Sequence, residues 1–101
     1  MLTTIYLHSK TGEPPLPILA YVFEFKYSPV EPAALFAVHE SLFPGHLSTI
    51  THVASGLRVD EAPYFINPCP QNQALVENFI RMRRAQVGNA VFDSTLRKYL
   101  K

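Results

Sequence analysis

Basic side chains are concentrated in the last third of the chain. Residues 71–101 carry six Lys or Arg against two Asp or Glu, a net charge of +4, whereas residues 1–70 carry three against six, a net charge of −3. Such asymmetry points to nucleic acid or to an acidic partner, because clustered cations neutralise phosphates or pair with carboxylates. The candidate partner-binding residues are Arg81, Arg84, Arg97, Lys98 and Lys101.

An acidic protein suits these arginines as well as a nucleic acid does, because the guanidinium group pairs bidentately with carboxylates and stacks on aromatic rings. The sequence contains no RNP1-like string, no GXXG loop and no zinc-finger spacing. A purely structural role is also open: Glu77 lies four residues before Arg81, and Asp93 four before Arg97, which favours ion pairs along a helix. We therefore predict a protein partner, with nucleic acid as the alternative.

The residues that could carry acid–base or nucleophilic chemistry are few. Three histidines, His39, His46 and His52, are separated by seven and six positions, which matches no zinc motif. Cys69 lies between two prolines and would need a base such as His46 or His52 to act as a nucleophile. We predict no metal, no cofactor and a non-enzymatic regulator, adaptor or inhibitor. An enzyme built on Cys69 and a histidine is a third hypothesis.

Composition sets the context for these residues. The chain has 101 residues, of which 48% are hydrophobic and only 17% charged, and we expect residues 1–101 to form a single domain. A chain with so few charges exposes apolar surface that a second copy or a partner would cover, and a homodimer, the commonest solution, is expected. One cysteine, no leader-like segment and no apolar run long enough to cross a bilayer predict a cytoplasmic protein with no membrane partner.

The elements that must position these residues begin with strands. Large apolar side chains occupy every second position of residues 19–27, and the charged Glu24 and Lys26 lie between them on the other face, which is the clearest strand signal in the chain. Residues 2–8 and 47–54 are rich in β-formers and predict two more strands. Residues 57–59 are a shorter candidate, and residues 64–66 are either a strand or an apolar anchor. If the strand over residues 19–27 lies at a sheet edge, it is a candidate dimer interface.

Helical signals occur in two places. Residues 32–43 begin with proline and end before Pro44-Gly45, with apolar residues at helical spacing, so we predict a helix there. From Gln71 onward the spacing is helical again, and Gly88-Asn89 predicts either two helices or one kinked helix. The expected order is β-β-α-β-(β)-α-α. It corresponds to an α+β fold with a small antiparallel or mixed sheet carrying helices on one face, for which a ferredoxin-like arrangement is one candidate.

Overall fold

A computed structural model describes residues 2–8, 13–41 and 48–99. Within these ranges the chain forms a five-stranded antiparallel sheet whose strands are neighbours in sequence order, followed by helices, so the predicted α+β class is confirmed. The strands are β1 Leu2–Leu7, β2 Leu16–Phe25, β3 Ala34–Glu40, β4 Ser48–His52 and β5 Leu57–Ala62; a 3₁₀ turn spans Pro70–Asn72, and the helices are α1 Gln73–Val87 and α2 Asn89–Lys98.

The sheet buries apolar side chains on both of its faces. On β2, Tyr21, Phe23 and Phe25 point to the face that the helices cover, as the alternation predicts. Ala20 lies on the opposite face, in a second, smaller cluster with Ile5 and Ala37. The helix-side core consists of Tyr21, Phe23, Phe25, Phe36, Val38, Ile50, Val59, Ala62, Ile66, Val76, Ile80, Phe92 and Leu96.

The predicted helix over residues 32–43 is wrong, because residues 34–40 of this segment form strand β3. Phe36 and Val38 are buried towards the helices, while Ala37 and His39 are buried on the opposite face. A strand covered on both faces has a nearly continuous apolar sequence, which periodicity alone does not separate from a buried helix. The described part of the chain has no helix between strands, so the ferredoxin-like arrangement is not confirmed. Residues 42–47 lie outside the described residues.

β2 lies inside the sheet rather than at an edge. Its first half pairs with β1 and its second half, from Tyr21 to Phe25, pairs with β3. Pro17 is tolerated in this strand because β3 does not extend alongside it. The condition for a dimer interface at β2 is therefore not met, and the outer strands of the described sheet are β1 and β5.

The β4–β5 turn reaches back to the end of β1. The His8 backbone N–H donates to the carbonyl oxygen of Gly56 at 2.8 Å. The turn requires glycine at position 56 for two reasons. Gly56 has φ of +72°, which side chains disfavour, and a Cβ there would lie only 2.7 Å from the His8 nitrogen. On β1 itself, Ile5 packs with Ala20 and Ala37 on the face of the sheet opposite the helices.

The end of the chain forms two helices, which confirms one of the two predicted alternatives. Gly88, with φ of +98°, is both the C-cap of α1 and the N-cap of α2. Asn89 is therefore the first residue of α2 and not its N-cap. Residues 64–66 form no strand, but Ile66 is a buried anchor whose N–H donates to Ser48 Oγ at 2.8 Å. No helix in the described ranges is long and apolar enough to cross a membrane.

Candidate partner-binding surface

Arg84 occupies the junction of the two helices with the segment that follows β2. Its Nε donates to Asp93 Oδ1 at 3.2 Å and its Nη2 to Asp93 Oδ2 at 2.8 Å, which is a bidentate pair. Nη2 also donates to Glu31 Oε1 at 3.1 Å, and the guanidinium lies 3.8 Å from the centre of the Tyr27 ring. With a side chain only 12% exposed, Arg84 joins α1, α2 and the segment after β2.

The electrostatics of this junction favour a charged Arg84 and a neutral Tyr27. The hydrogen bond to Asp93 is the main cause that raises the pKa of Arg84 above its ordinary value. Burial, reinforced by the negative charge of Asp93, raises the pKa of Tyr27 to about 12. The ring therefore stays un-ionised at physiological pH and presents its face to the guanidinium as a cation–π partner.

Arg81 lies one turn before Arg84 and is exposed. Its guanidinium lies 4.6 Å from the centre of the Phe25 ring, and its Nη1 donates to the Tyr27 carbonyl oxygen at 3.1 Å. The two arginines thus rest on Phe25, the last residue of β2, and on Tyr27, which follows the strand. The ion pairs anticipated along the helices are replaced: Glu77 accepts from Gln73 Nε2 at 3.1 Å, and Asp93 pairs with Arg84 instead of Arg97.

Arg97 and Lys98 lie in the last turn of α2 and are exposed. Neither forms an ion pair with another described residue, and Lys98 Nζ lies 5.9 Å from the centre of the Tyr99 ring. Helix spacing puts Arg97 one turn beyond Asp93, on the same side of α2. Arg81 and Arg97 are therefore each one turn from the Arg84–Asp93 pair. Lys101, the remaining candidate, lies outside the described residues.

A row of apolar side chains runs along the side of α1 nearest β5. Leu75, Phe79 and Met82 follow at intervals of four and three residues, and the Tyr64 ring centre lies 6.3 Å from that of Phe79. Leu75, Met82 and Tyr64 are exposed, and Phe79 is half-buried. We call Tyr64, Leu75, Phe79 and Met82 the α1 strip.

Sequence reasoning missed the α1 strip, although helical spacing contained the signal. Apolar residues in the α1 sequence cover a wider arc than one sheet can bury, and only Val76 and Ile80 are buried in the core. Leu75 and Phe79 each precede one of these buried residues by one position, so they lie on the neighbouring side of the helix rather than on its buried face. An apolar arc wider than the buried face of a single helix therefore indicates a second contact surface.

A cleft of about 230 Å³ opens between α1, α2 and the start of β5. Two arginines border it, but both are engaged within the chain. Arg58 Nη1 lies 2.6 Å from Glu61 Oε1; Arg83 Nη2 lies 3.6 Å from Asp60 Oδ1, and Arg83 Nε donates to the Val59 carbonyl oxygen at 3.2 Å. The residues that line the cleft are Leu57, Arg58, Val59, Arg83, Val87, Phe92, Thr95 and Leu96.

The described histidines in the sheet are structural. His39 Nδ1 donates to the Glu40 carbonyl oxygen at 2.9 Å, which leaves Nε2 to accept from Thr51 Oγ1 at 2.8 Å. His52 Nδ1 lies 2.7 Å from Ser55 Oγ. Burial lowers the pKa of His39 and of His52, so both rings are held neutral and their hydrogen bonds serve the core.

Cys69 is half-buried next to the 3₁₀ turn, where its Sγ accepts from Asn72 Nδ2 at 3.6 Å. His52 forms its hydrogen bond with Ser55 and not with Cys69. His46, the other candidate base, lies outside the described residues. Nowhere in residues 2–8, 13–41 and 48–99 do three His, Cys, Asp or Glu side chains converge as a metal site.

Comparison of the chain with models of protein families, with curated proteins and with solved structures finds no match.

Proposed function

We propose that this chain is a non-enzymatic protein-binding module that docks its partner through the α1 strip. The observation that carries the proposal is the alignment of Leu75, Phe79 and Met82 on one side of α1 at the protein surface, where the Tyr64 ring lies beside that of Phe79. Contiguous exposed apolar patches mark interaction sites, and aromatic residues and methionine are enriched in interfaces. Anchors at this helical spacing fit a partner helix or groove.

Charge indicates the character of that partner. Residues 71–101 carry a net charge of +4, and Arg81, Arg97 and Lys98 remain exposed. A partner that carries carboxylates as well as an apolar contact surface complements this net charge and would be steered towards it. In this arrangement Arg84 positions the helices, while the exposed cations contact the partner. We place the role in the cytoplasm, where a lone thiol such as Cys69 stays reduced.

Nucleic-acid binding is the second candidate, and a separate observation favours it. Arg97 and Lys98 close α2 beside the exposed Tyr99 ring, so cations and a stacking surface lie together. Against it, Arg83 and Arg84 are already paired with carboxylates of this chain, which reduces the positive charge free for phosphates.

The two candidates are separated by one charge substitution in the α1 strip and one outside it. Met82→Asp places a carboxylate in the strip, and Val91→Asp places the same group on an exposed apolar position of α2. We expect a protein captured from source cells, identified by mass spectrometry and re-tested as a purified component, to be lost with Met82→Asp and retained with Val91→Asp.

Fluorescence anisotropy with generic single- and double-stranded DNA and RNA, at low and moderate salt, completes the test. The proposal expects no salt-sensitive binding. Salt-sensitive binding that is abolished by Arg81→Glu with Arg97→Glu, and unaffected by Met82→Asp, would replace the protein partner with nucleic acid.

A further inference from the structure

A single residue, Gly88, separates the two C-terminal helices. Helical hydrogen bonding continues to the Gly88 N–H, which donates to the Arg84 carbonyl oxygen at 2.9 Å. It resumes with the Phe92 N–H, which donates to the Gly88 carbonyl oxygen at 2.9 Å. The two backbone dihedral angles of Gly88, φ of +98° and ψ of 130°, therefore decide whether the chain bends or continues as one helix from Gln73 to Lys98.

In the bent conformation α2 is held on its own chain by contacts that do not involve Gly88. Phe92 and Leu96 are buried in the helix-side core, and Asp93 pairs with Arg84 across the bend. A Cβ added to Gly88 would meet open space among the described residues. Glycine is therefore needed at this position for its positive φ and not to make room for a neighbour, as expected of a residue that absorbs a change in backbone direction.

Straightening the chain at Gly88 would turn the apolar side of α2 away from its own chain. Successive side chains rotate by about 100° around a helix, so a continuous helix would place Val76 and Phe92 roughly 160° apart, on opposite sides. Val76 is buried against the sheet of its own chain, so Phe92 would then point away from that sheet. A chain in the straight conformation can bury the apolar side of α2 only on a second copy.

We propose that Gly88 is a hinge through which two copies of this chain exchange their α2 helices. In the exchanged dimer, α1 and α2 of each copy form one continuous helix, and Phe92 of each copy fills the core of the other. The contacts of α2 with the rest of the protein are kept, because the same residues meet between chains, Arg84 with Asp93 among them. Exchange of an identical element is a low-cost route to a dimer, and a short strained connection favours it.

Two features beside the hinge favour the exchanged form. The backbone N–H groups of residues 89–91 lie in the first turn of α2, where a helix offers them no acceptor, whereas a continuous helix supplies the carbonyl oxygens of residues 85–87. Val87 and Val91 are 44% and 57% exposed in the bent form. They flank the hinge, where two exchanged chains cross and cover apolar side chains. Neither valine belongs to the α1 strip, so the exchange is independent of the proposed function.

The geometry of the hinge sets the balance, since the contacts of α2 are the same in both forms. In the monomer, α2 is tethered beside its own site at an effective concentration of the order of mM, so the wild type should be mainly monomeric at μM concentrations. Gly88→Ala disfavours the bent form, which needs a positive φ, and favours the continuous helix. Because two hinges change per dimer, we expect this substitution to tighten dimerisation by about a thousandfold or more.

Sedimentation velocity after refolding from urea, which lets α2 exchange, measures this shift over about 1 to 500 μM. At about 50 μM we expect Gly88→Ala to be a dimer and the wild type to be mainly a monomer. Asn89→Ala is the matched control, because it raises helix propensity one residue from the hinge, at a position that is helical in both forms. A Gly88→Ala variant that stays monomeric throughout the range, or an Asn89→Ala variant that dimerises equally, would overturn the proposal.

Two complementary charge reversals identify the exchange with Gly88 retained. Arg84→Glu and Asp93→Arg each set like charges against one another within a single chain. In an exchanged pair of these two variants, the carboxylate introduced at position 84 meets the guanidinium introduced at position 93, and the original Arg84 meets the original Asp93. We expect the variants, refolded together, to form an equimolar dimer in native mass spectrometry, at least a hundredfold tighter than self-association of the wild type.

A mixture of Arg81→Glu with Asp93→Arg controls for simple attraction between oppositely charged chains. Arg81→Glu makes the same change of charge one helical turn from Arg84 but restores no pair with position 93, so this mixture should yield no such dimer. Far-UV circular dichroism of each variant alone and of each mixture shows whether mixing restores structure. Absence of a dimer from the Arg84→Glu and Asp93→Arg mixture, or an equal yield from both mixtures, would contradict the exchange.

Discussion

Arg84 should contribute more to stability than any other charged residue of the C-terminal segment, and Arg84→Ala measures this. The substitution removes the bidentate contact with Asp93, the contact with Glu31 and the stacking on Tyr27. The Asp93 and Glu31 side chains are 34% and 37% exposed, so water can solvate both carboxylates once the guanidinium is gone. The full cost of breaking a buried ion pair, about 3–5 kcal/mol, therefore does not apply.

The remaining terms set the magnitude. Hydrogen bonds to a charged group contribute about 1.5–3 kcal/mol, and a cation–π contact shielded from water about 1–2 kcal/mol. We expect Arg84→Ala to lower the free energy of unfolding by about 3 kcal/mol, which corresponds to a fall in Tm of about 15 °C for a chain of this size. That is a large part of the ~5–15 kcal/mol that holds a typical domain folded.

Urea unfolding followed by far-UV circular dichroism gives the measurement, with Arg81→Ala as the matched comparison. Arg81 is exposed and loses one hydrogen bond and one ring contact, so its substitution should cost about 1 kcal/mol. Combining Arg84→Ala with Asp93→Ala should reveal a coupling energy of about 1–2 kcal/mol. An Arg84→Ala variant within about 0.5 kcal/mol of the wild type would refute this account of the junction.

Two further predictions follow from the sheet. Because burial lowers the pKa of His39 and His52, the unfolded chain binds protons more readily, so stability should be complete above the unfolded pKa of about 6.5 and decline as pH falls below it. Each histidine should add a slope of up to about 1.4 kcal/mol per pH unit, and His39→Gln should reduce the slope measured by urea unfolding across that range; an unchanged slope would contradict the assignment. Gly56→Ala should cost more than about 3 kcal/mol, because its Cβ would collide with the His8 backbone in addition to the strain of a positive φ. Gly88 also has a positive φ, of +98°, but open space lies around it, so Gly88→Ala should cost only the backbone strain, about 1–3 kcal/mol. Equal costs for the two variants would show that the close approach at Gly56 is unimportant.

The strand over residues 19–27 and the break between the helices were predictable because local chemistry decides them. Alternation of apolar and polar residues has no helical equivalent, and Gly88 adopts a backbone conformation that side chains disfavour. Residues 34–40 were not predictable in this way, since a short apolar run is compatible with a helix or with a strand buried on both faces. Only the pairing of this segment with β2 and β4 made it a strand.

The sequence by itself determined the α+β class, most of the strands, and the concentration of positive charge in the last third of the chain. Tertiary structure decided which of those charges remain free. Spacing along a helix suggested Asp93 with Arg97, but the change of direction at Gly88 brings Asp93 to Arg84, nine residues away, and leaves Arg97 exposed. Local periodicity reports which residues share a face, whereas the packing of helices and sheet decides which face meets another element, and that packing depends on contacts distant in sequence.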